Sequence, residues 1–243
     1  MIRWWAKRGV GGFRLDVVDH LGKDPSRGIT VITETITVNF KEARHGIIRT
    51  IPLTNEVRRL DGTSYTNHAR ISNIYCDTLF STHRSNNNYE IKIGDPTETM
   101  TGDKTYVIRY TYALGWDKTS EYDELYFNII GNQWDTIVMN VSFTIQMPKD
   151  FDTSKLGFSS GPRGSTDSSR VKYNINGTTI TGTLDGHLLP GHGLTVRCEL
   201  PEGYFVPDIH SIDIWYLIKT CLRQKRMALA ITSRRMCILP ERK

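Results

Sequence analysis

Arg14 and Asp16, carried by Phe13-Arg14-Leu15-Asp16 behind Gly11-Gly12, are the residues of this chain that most resemble part of a catalytic centre. A carboxylate beside an arginine could be one of the two carboxyl groups that glycoside hydrolysis uses. That chemistry also needs a second carboxyl group about 5–5.5 Å away as proton donor. Glu34, Glu56 and Glu124 lie downstream in strand-like or turn-like surroundings, and none falls in an acid motif. A motif outside its structural context is only a hypothesis. Asp16 and Arg14 are thus catalytic only if the hydrolase reading holds, and the chain is expected to be non-enzymatic, with no cofactor.

Binding residues are better represented. His45-Gly46-Ile47-Ile48-Arg49-Thr50-Ile51-Pro52 sets a cation among apolar neighbours. Arg49 is expected to form a structural ion pair with a carboxylate such as Asp123 or Glu124. The alternative is a bidentate grip on an anionic ligand, with His45 nearby. A second group joins Trp116, Tyr122, Tyr126, Phe127 and Trp134 to the acids Asp117, Asp123, Glu124 and Asp135. Aromatics beside acids can stack sugar rings or hold peptides, but in a β-sandwich they more often fill the core. His45, His68, His83, His187 and His192 are scattered, and neither a phosphate-cradling loop nor a dinucleotide fingerprint is present. Cys76, Cys198, Cys221 and Cys237 form no CxxC pair, so no metal site is expected. Buried thiols are the default for Cys76 and Cys198, with a disulfide between them left open.

The elements that must carry these residues read as strands. In residues 29–40 β-branched side chains alternate with polar ones, the period of a half-buried strand. Similar runs recur at 46–53, 69–76, 89–93, 105–112, 124–130, 136–147, 171–175, 178–184 and 194–200, with Gly, Asp, Asn and Pro turns between them. Asn176-Gly177 predicts a tight hairpin with a type I′ turn. Residues 150–170, rich in Ser, Gly and Asp, predict a long exposed loop. The fold class that follows is all-β, an antiparallel β-sandwich, immunoglobulin-like or jelly-roll-like, with short helical pieces at both termini.

Charge divides the chain in the same way. The net charge of +5 over 243 residues comprises +3 in residues 1–28 and +7 in 219–243, leaving −5 for the body between them. Nucleic-acid binding would rest on the two ends alone, so it is not expected. No apolar stretch reaches the roughly 18–20 residues of a membrane span. The tail could form a basic amphipathic helix for lipid or a partner; read-through without a designed role is the preferred account. Three regions follow: a head over 1–27, a β-sandwich over 28–206 and a basic tail over 207–243.

Two resemblances add to this reading. The head, from Trp4-Trp5 through Gly11-Gly12-Phe13-Arg14-Leu15-Asp16 to Pro25, resembles the fourth βα unit of the α-amylase superfamily, in oligoglucosidases and trehalose-phosphate hydrolases. The resemblance implies Asp16 as nucleophile and Arg14 as its support. A closed barrel of that kind takes about 250 residues, so the head is expected to be fused or misjoined. The alternative is a relic of an α-glucosidase with residual sugar binding.

The second resemblance rests on ordered motifs. They are Thr33-Glu34-Thr35-Ile36-Thr37, His45-Gly46-Ile47-Ile48-Arg49-Thr50-Ile51-Pro52, Tyr89-Glu90-Ile91-Lys92-Ile93-Gly94, Tyr106-Val107-Ile108-Arg109-Tyr110, Gly131-Asn132-Gln133-Trp134 and Leu200-Pro201-Glu202-Gly203-Tyr204. Over about residues 28–206 the chain resembles the N-terminal extracytoplasmic domain of YciQ-like bacterial predicted membrane proteins, a domain of unknown function. That implies a truncated binding or assembly module at the cell envelope, on the extracytoplasmic side of the membrane. Its partner would be a protein or an envelope ligand.

Overall fold

The computed structural model describes residues 10–20, 29–58, 64–85, 87–113 and 122–205. Trp116, Asp117, the tail and the expected terminal helices lie outside them. Fifteen strands are present among the described residues: β1 (Val10–His20), β2 (Ile29–Arg44), β3 (Gly46–Pro52), β4 (Thr54–Arg58), β5 (Ser64–His68), β6 (Arg70–Cys76), β7 (Phe80–Ser85), β8 (Asn88–Gly94), β9 (Met100–Ala113), β10 (Tyr122–Ile130), β11 (Val138–Gln146), β12 (Leu156–Gly161), β13 (Val171–Asn176), β14 (Thr179–Leu184) and β15 (Gly193–Pro201).

Alternation decides which face each strand buries. In β2, Ile32, Glu34, Ile36, Val38 and Phe40 are buried while Thr33, Thr35, Thr37 and Asn39 are half-exposed. Its neighbour β9 buries Tyr106, Ile108, Tyr110 and Tyr112 in the same sense. Each fully buried large apolar side chain stabilises the fold by about 1.5–3 kcal/mol before entropy is counted.

A seven-stranded sheet has the order β13-β14-β11-β1-β2-β9-β6. Two three-stranded sheets, β10-β15-β12 and β3-β8-β7, and the hairpin β4-β5 complete the set. One apolar cluster takes Ile36 and Phe143 from the large sheet, Ile47 and Ile91 from the second and Leu125 and Val196 from the third. The arrangement is an all-β sandwich.

Three local expectations need correction. Pairing is antiparallel except between β1 and β11, which run parallel. Parallel neighbours require a long crossover, and β2 to β10 lie between these two strands. The hairpin at Asn176-Gly177 forms, but Asn176 pairs with Thr179 and only Gly177 has positive φ, at +58°. Glycine at the first position of a two-residue loop suits a type II′ turn rather than type I′. Residues 150–170 are not one loop either. Asp152 caps a 3₁₀ turn at Thr153–Lys155, and β12 then pairs with β15 from Leu156 to Gly161, leaving a loop at 162–170. Serines and glycines masked a strand whose inward residues are Leu156 and Phe158.

The turns are stiffened by short aspartate bonds. Asp95, Asp152 and Asp167 each accept from the backbone N–H two residues ahead, at 2.7, 2.9 and 2.9 Å. Side-chain hydrogen bonds from Thr97, Ser154 and Ser169, then these backbone bonds, hold the three carboxyl groups below the usual aspartate range. A depressed folded-state value means the stabilisation is present above the unfolded value of about 3.9. It is lost as pH falls through the folded values. Carbon-13 NMR titration is therefore expected to give midpoints below 3.9 for all three; ordinary midpoints would show the bonds to be absent in solution.

Candidate functional site

Glu34 and Arg49 are two deeply buried charged residues that meet inside the sandwich. Glu34 sits at an inward position of β2 with 1% exposure, and Arg49 lies between Ile47 and Ile51 on the inward face of β3 with 3%. The guanidinium grips the carboxylate bidentately, Nε to Oε2 at 2.7 Å and Nη2 to Oε1 at 2.8 Å. Arg49 Nη1 donates to the Thr50 carbonyl at 2.5 Å, and the Tyr110 hydroxyl donates to Glu34 Oε1 at 2.6 Å. The guanidinium carbon lies 5.7 Å from the Trp134 ring centroid, a cation–π contact. Burial is the largest influence and opposes the charge on Arg49, but Glu34 and Tyr110 together outweigh it and raise the guanidinium above its ordinary value.

Arg49 is thus fully buried, and its partner is Glu34 rather than Asp123 or Glu124. Asp123 instead accepts from the Phe205 backbone N–H at 2.7 Å, and Glu124 accepts from Arg197 Nε at 2.6 Å. A sequence signal for Glu34 existed. It occupies the same face as Ile32, Ile36 and Val38, so an inward acid on β2 confronts an inward cation on the next strand.

Beside the pair lies a niche of about 20 Å³, lined by Arg49, Ile51, Pro52, Tyr110, Tyr112, Phe127, Asn128 and Gly131. That holds about one water. Because Glu34 already occupies the guanidinium bidentately, the niche suits a neutral acceptor oxygen better than a carboxylate or phosphate.

The remaining candidates are dispersed. His45 Nδ1 lies 3.1 Å from the Asp95 carbonyl and 2.8 Å from that of Glu98, so this nitrogen carries the proton and fastens the turn after β2. Trp134 is buried, and Phe127 packs edge-on against Tyr112 with centroids 5.4 Å apart. Tyr126 departs from the expected core role, since alternation in β10 turns it away from Leu125, Phe127 and Ile129. Arg14 and Asp16 belong to β1, where they pair with Asn140 and Ser142 of β11 through the backbone; their side chains lie outside the described residues. Cys76 and Cys198 are buried free thiols, and burial pushes Cys198 up to about 11. Neither is a thiolate at neutral pH.

At one end of the sandwich three loops are knitted together. Val138 and Leu188 exchange backbone bonds at 3.0 and 2.9 Å, Gly191 N donates to the Trp134 carbonyl at 2.8 Å, and Asn132 Nδ2 donates to the Gly191 carbonyl at 3.1 Å. Arg170 Nη2 reaches the Asp185 and His187 carbonyls at 3.0 and 2.5 Å. Ile137, Met139 and Leu189 are exposed at this end.

Among the described residues no helix is long and apolar enough to cross a membrane. No curated protein matches the chain. Solved structures similar to it include an M1 zinc metallopeptidase from Deinococcus radiodurans, at 12% identity and a TM-score of 0.36, covering 77% of this chain and 42% of that one. A two-domain M1 zinc metallopeptidase mutant bound to L-tryptophan is similar at 11% identity and a TM-score of 0.35, over the same shares. This chain therefore spans less than half the length of those structures. A family model matches residues 26–199, from just before β2 into β15 and across the Glu34–Arg49 pair, and by that match the chain belongs to the family described as Predicted membrane protein (DUF2207) N-terminal domain.

Proposed function

We propose that this domain is a non-catalytic recognition or assembly module of the bacterial cell envelope, of YciQ-like type, displayed on the extracytoplasmic side of the membrane. It engages an envelope component through the loops at one end of the sandwich. The observation that supports this is the rigid loop cluster. Residues 131–139 and 185–192 are tied by backbone bonds and still present Ile137, Met139 and Leu189 to solvent. Preorganised loops on a stiff scaffold bind without a large ordering cost.

The test is cosedimentation of the full chain with washed bacterial envelopes, wild type beside an Ile137→Ser/Leu189→Ser variant. Both changes lie on exposed side chains, so melting should be nearly unchanged. The wild type is expected to sediment and the variant to bind at least about tenfold more weakly, the loss of roughly 1.4 kcal/mol. A wild type that stays in the supernatant ends the reading.

A further inference from the structure

The outer face of the sheet β10-β15-β12 is a three-by-three array set by pairing register. Glu124, Tyr126 and Asn128 of β10 lie opposite Glu199, Arg197 and Thr195 of β15. On the other side, Gly157 and Ser159 of β12 lie opposite Arg197 and Thr195, and Lys155 bridges to Glu199 at 3.2 Å. The core-facing partners Leu125, Val196, Cys198, Leu156 and Phe158 are buried, which fixes the array on the other face.

Its hydrogen-bonding capacity is only partly used. Arg197 spends Nε on Glu124 Oε1 at 2.6 Å, leaving both Nη groups without an acceptor. Glu124 has a fully buried side chain, yet its Oε2 receives no hydrogen bond. Buried carboxylate oxygens rarely remain so. Asn128 accepts from Thr195 Oγ1 at 2.8 Å and keeps its amide N–H groups available. Gly157 leaves the face beside Arg197 open, because a Cβ there would meet nothing within 4 Å.

We infer that this face is a binding site for a neutral saccharide, with Arg197, Glu124, Asn128 and Tyr126 as its contacts. A hydroxyl both donates and accepts, which is what an unfilled Arg Nη and an unfilled Glu oxygen demand together. One hydroxyl can accept from an Arg197 Nη and donate to Glu124 Oε2, and a second hydroxyl farther along the saccharide can accept from Asn128, four residues on along β10. Reaching that oxygen requires Arg197, whose side chain is 27% exposed, to move aside slightly. The two ion pairs on the face, Glu124 with Arg197 and Glu199 with Lys155, each balance their own charge, and Arg163 lies close enough to Tyr126 to act on it as a further cation. Tyr126 supplies a ring for stacking. Burial, then the Glu124 charge, raises its phenol, so the hydroxyl stays protonated at neutral pH. The inference goes beyond the loop-end reading and does not depend on it.

The experiment is a nitrogen-15 NMR titration of the full chain with maltotetraose, cellotetraose and tetra-N-acetylchitotetraose. Wild type is compared with Gly157→Leu, Arg197→Met and the Ile137→Ser/Leu189→Ser variant. Saturable shifts confined to amides of β10, β12 and β15 are expected with at least one sugar. They should weaken about tenfold or more in Gly157→Leu, whose Cβ meets nothing within 4 Å and whose isobutyl group occupies the face beside Arg197, and persist in the loop variant. Unchanged core amide shifts in Gly157→Leu report an intact fold. No shift with any of the three sugars overturns the inference, as does an equal response in wild type and Gly157→Leu. Tighter binding of glucuronate or glycine at these amides would also overturn it, because the face would then select charge.

Discussion

Arg49→Met is expected to lower the unfolding free energy by about 3–5 kcal/mol, because it strands the buried Glu34 carboxylate. Glu34 would keep only the Tyr110 hydroxyl, at 1% exposure. Glu34→Leu alone should cost a similar amount by leaving the Arg49 cation unpaired. The double change should recover most of the loss, since a packed apolar pair of similar volume is often as stable as a buried ion pair. Urea unfolding of the four proteins forms a double-mutant cycle, with the m-value as check on two-state behaviour. A loss below about 1 kcal/mol for Arg49→Met would show that solvent reaches the pair. What the pair adds is orientation. It joins β2 and β9 of the large sheet to β3 of the neighbouring sheet, with Trp134 of the β10–β11 connection closing over the guanidinium.

That geometry separates what was legible in the sequence from what was not. Alternation alone located β2, β3, β9, β10, β11 and β15, because most inward positions of each carry an apolar or aromatic side chain. It failed for β12, where Gly157, Ser159, Ser160 and Gly161 hide the inward Leu156 and Phe158, and for β7, whose side chains are mostly exposed polar ones. The burial of Arg49 was readable from Ile47 and Ile51. Its partner was not sought on β2, although Glu34 stands in the inward row of that strand. The polar array of Glu124, Tyr126 and Arg197 was out of reach because it depends on the register of β10 with β15, strands some seventy residues apart. Nothing local specifies such a register; it is fixed by which rows the core buries.

Gly46→Ala and Gly94→Ala are expected to be the most damaging single-methyl additions in the described part of the domain, costing roughly 3 kcal/mol or more each. The two glycines face one another where β3 meets β8, with φ of +149° and +131°. A Cβ on Gly46 would collide with the Ile93 carbonyl oxygen, and one on Gly94 with that of His45. These obstacles are backbone atoms, so no side-chain rotation relieves them, and the positive φ adds strain for any L side chain. Gly157→Ala is the control: its φ is not in the positive range and its surroundings are open, so its effect should stay within about 0.5 kcal/mol. Chemical denaturation of the three variants decides the matter, and near-wild-type stability of Gly46→Ala would mean that β3 and β8 do not approach this closely. The consequence reaches the buried pair. Arg49 lies three residues beyond Gly46 on the same strand, so any shift of β3 that accommodates the methyl also carries the guanidinium away from Glu34. Damage at this turn and damage at the ion pair should therefore be less than additive when Gly46→Ala is combined with Arg49→Met.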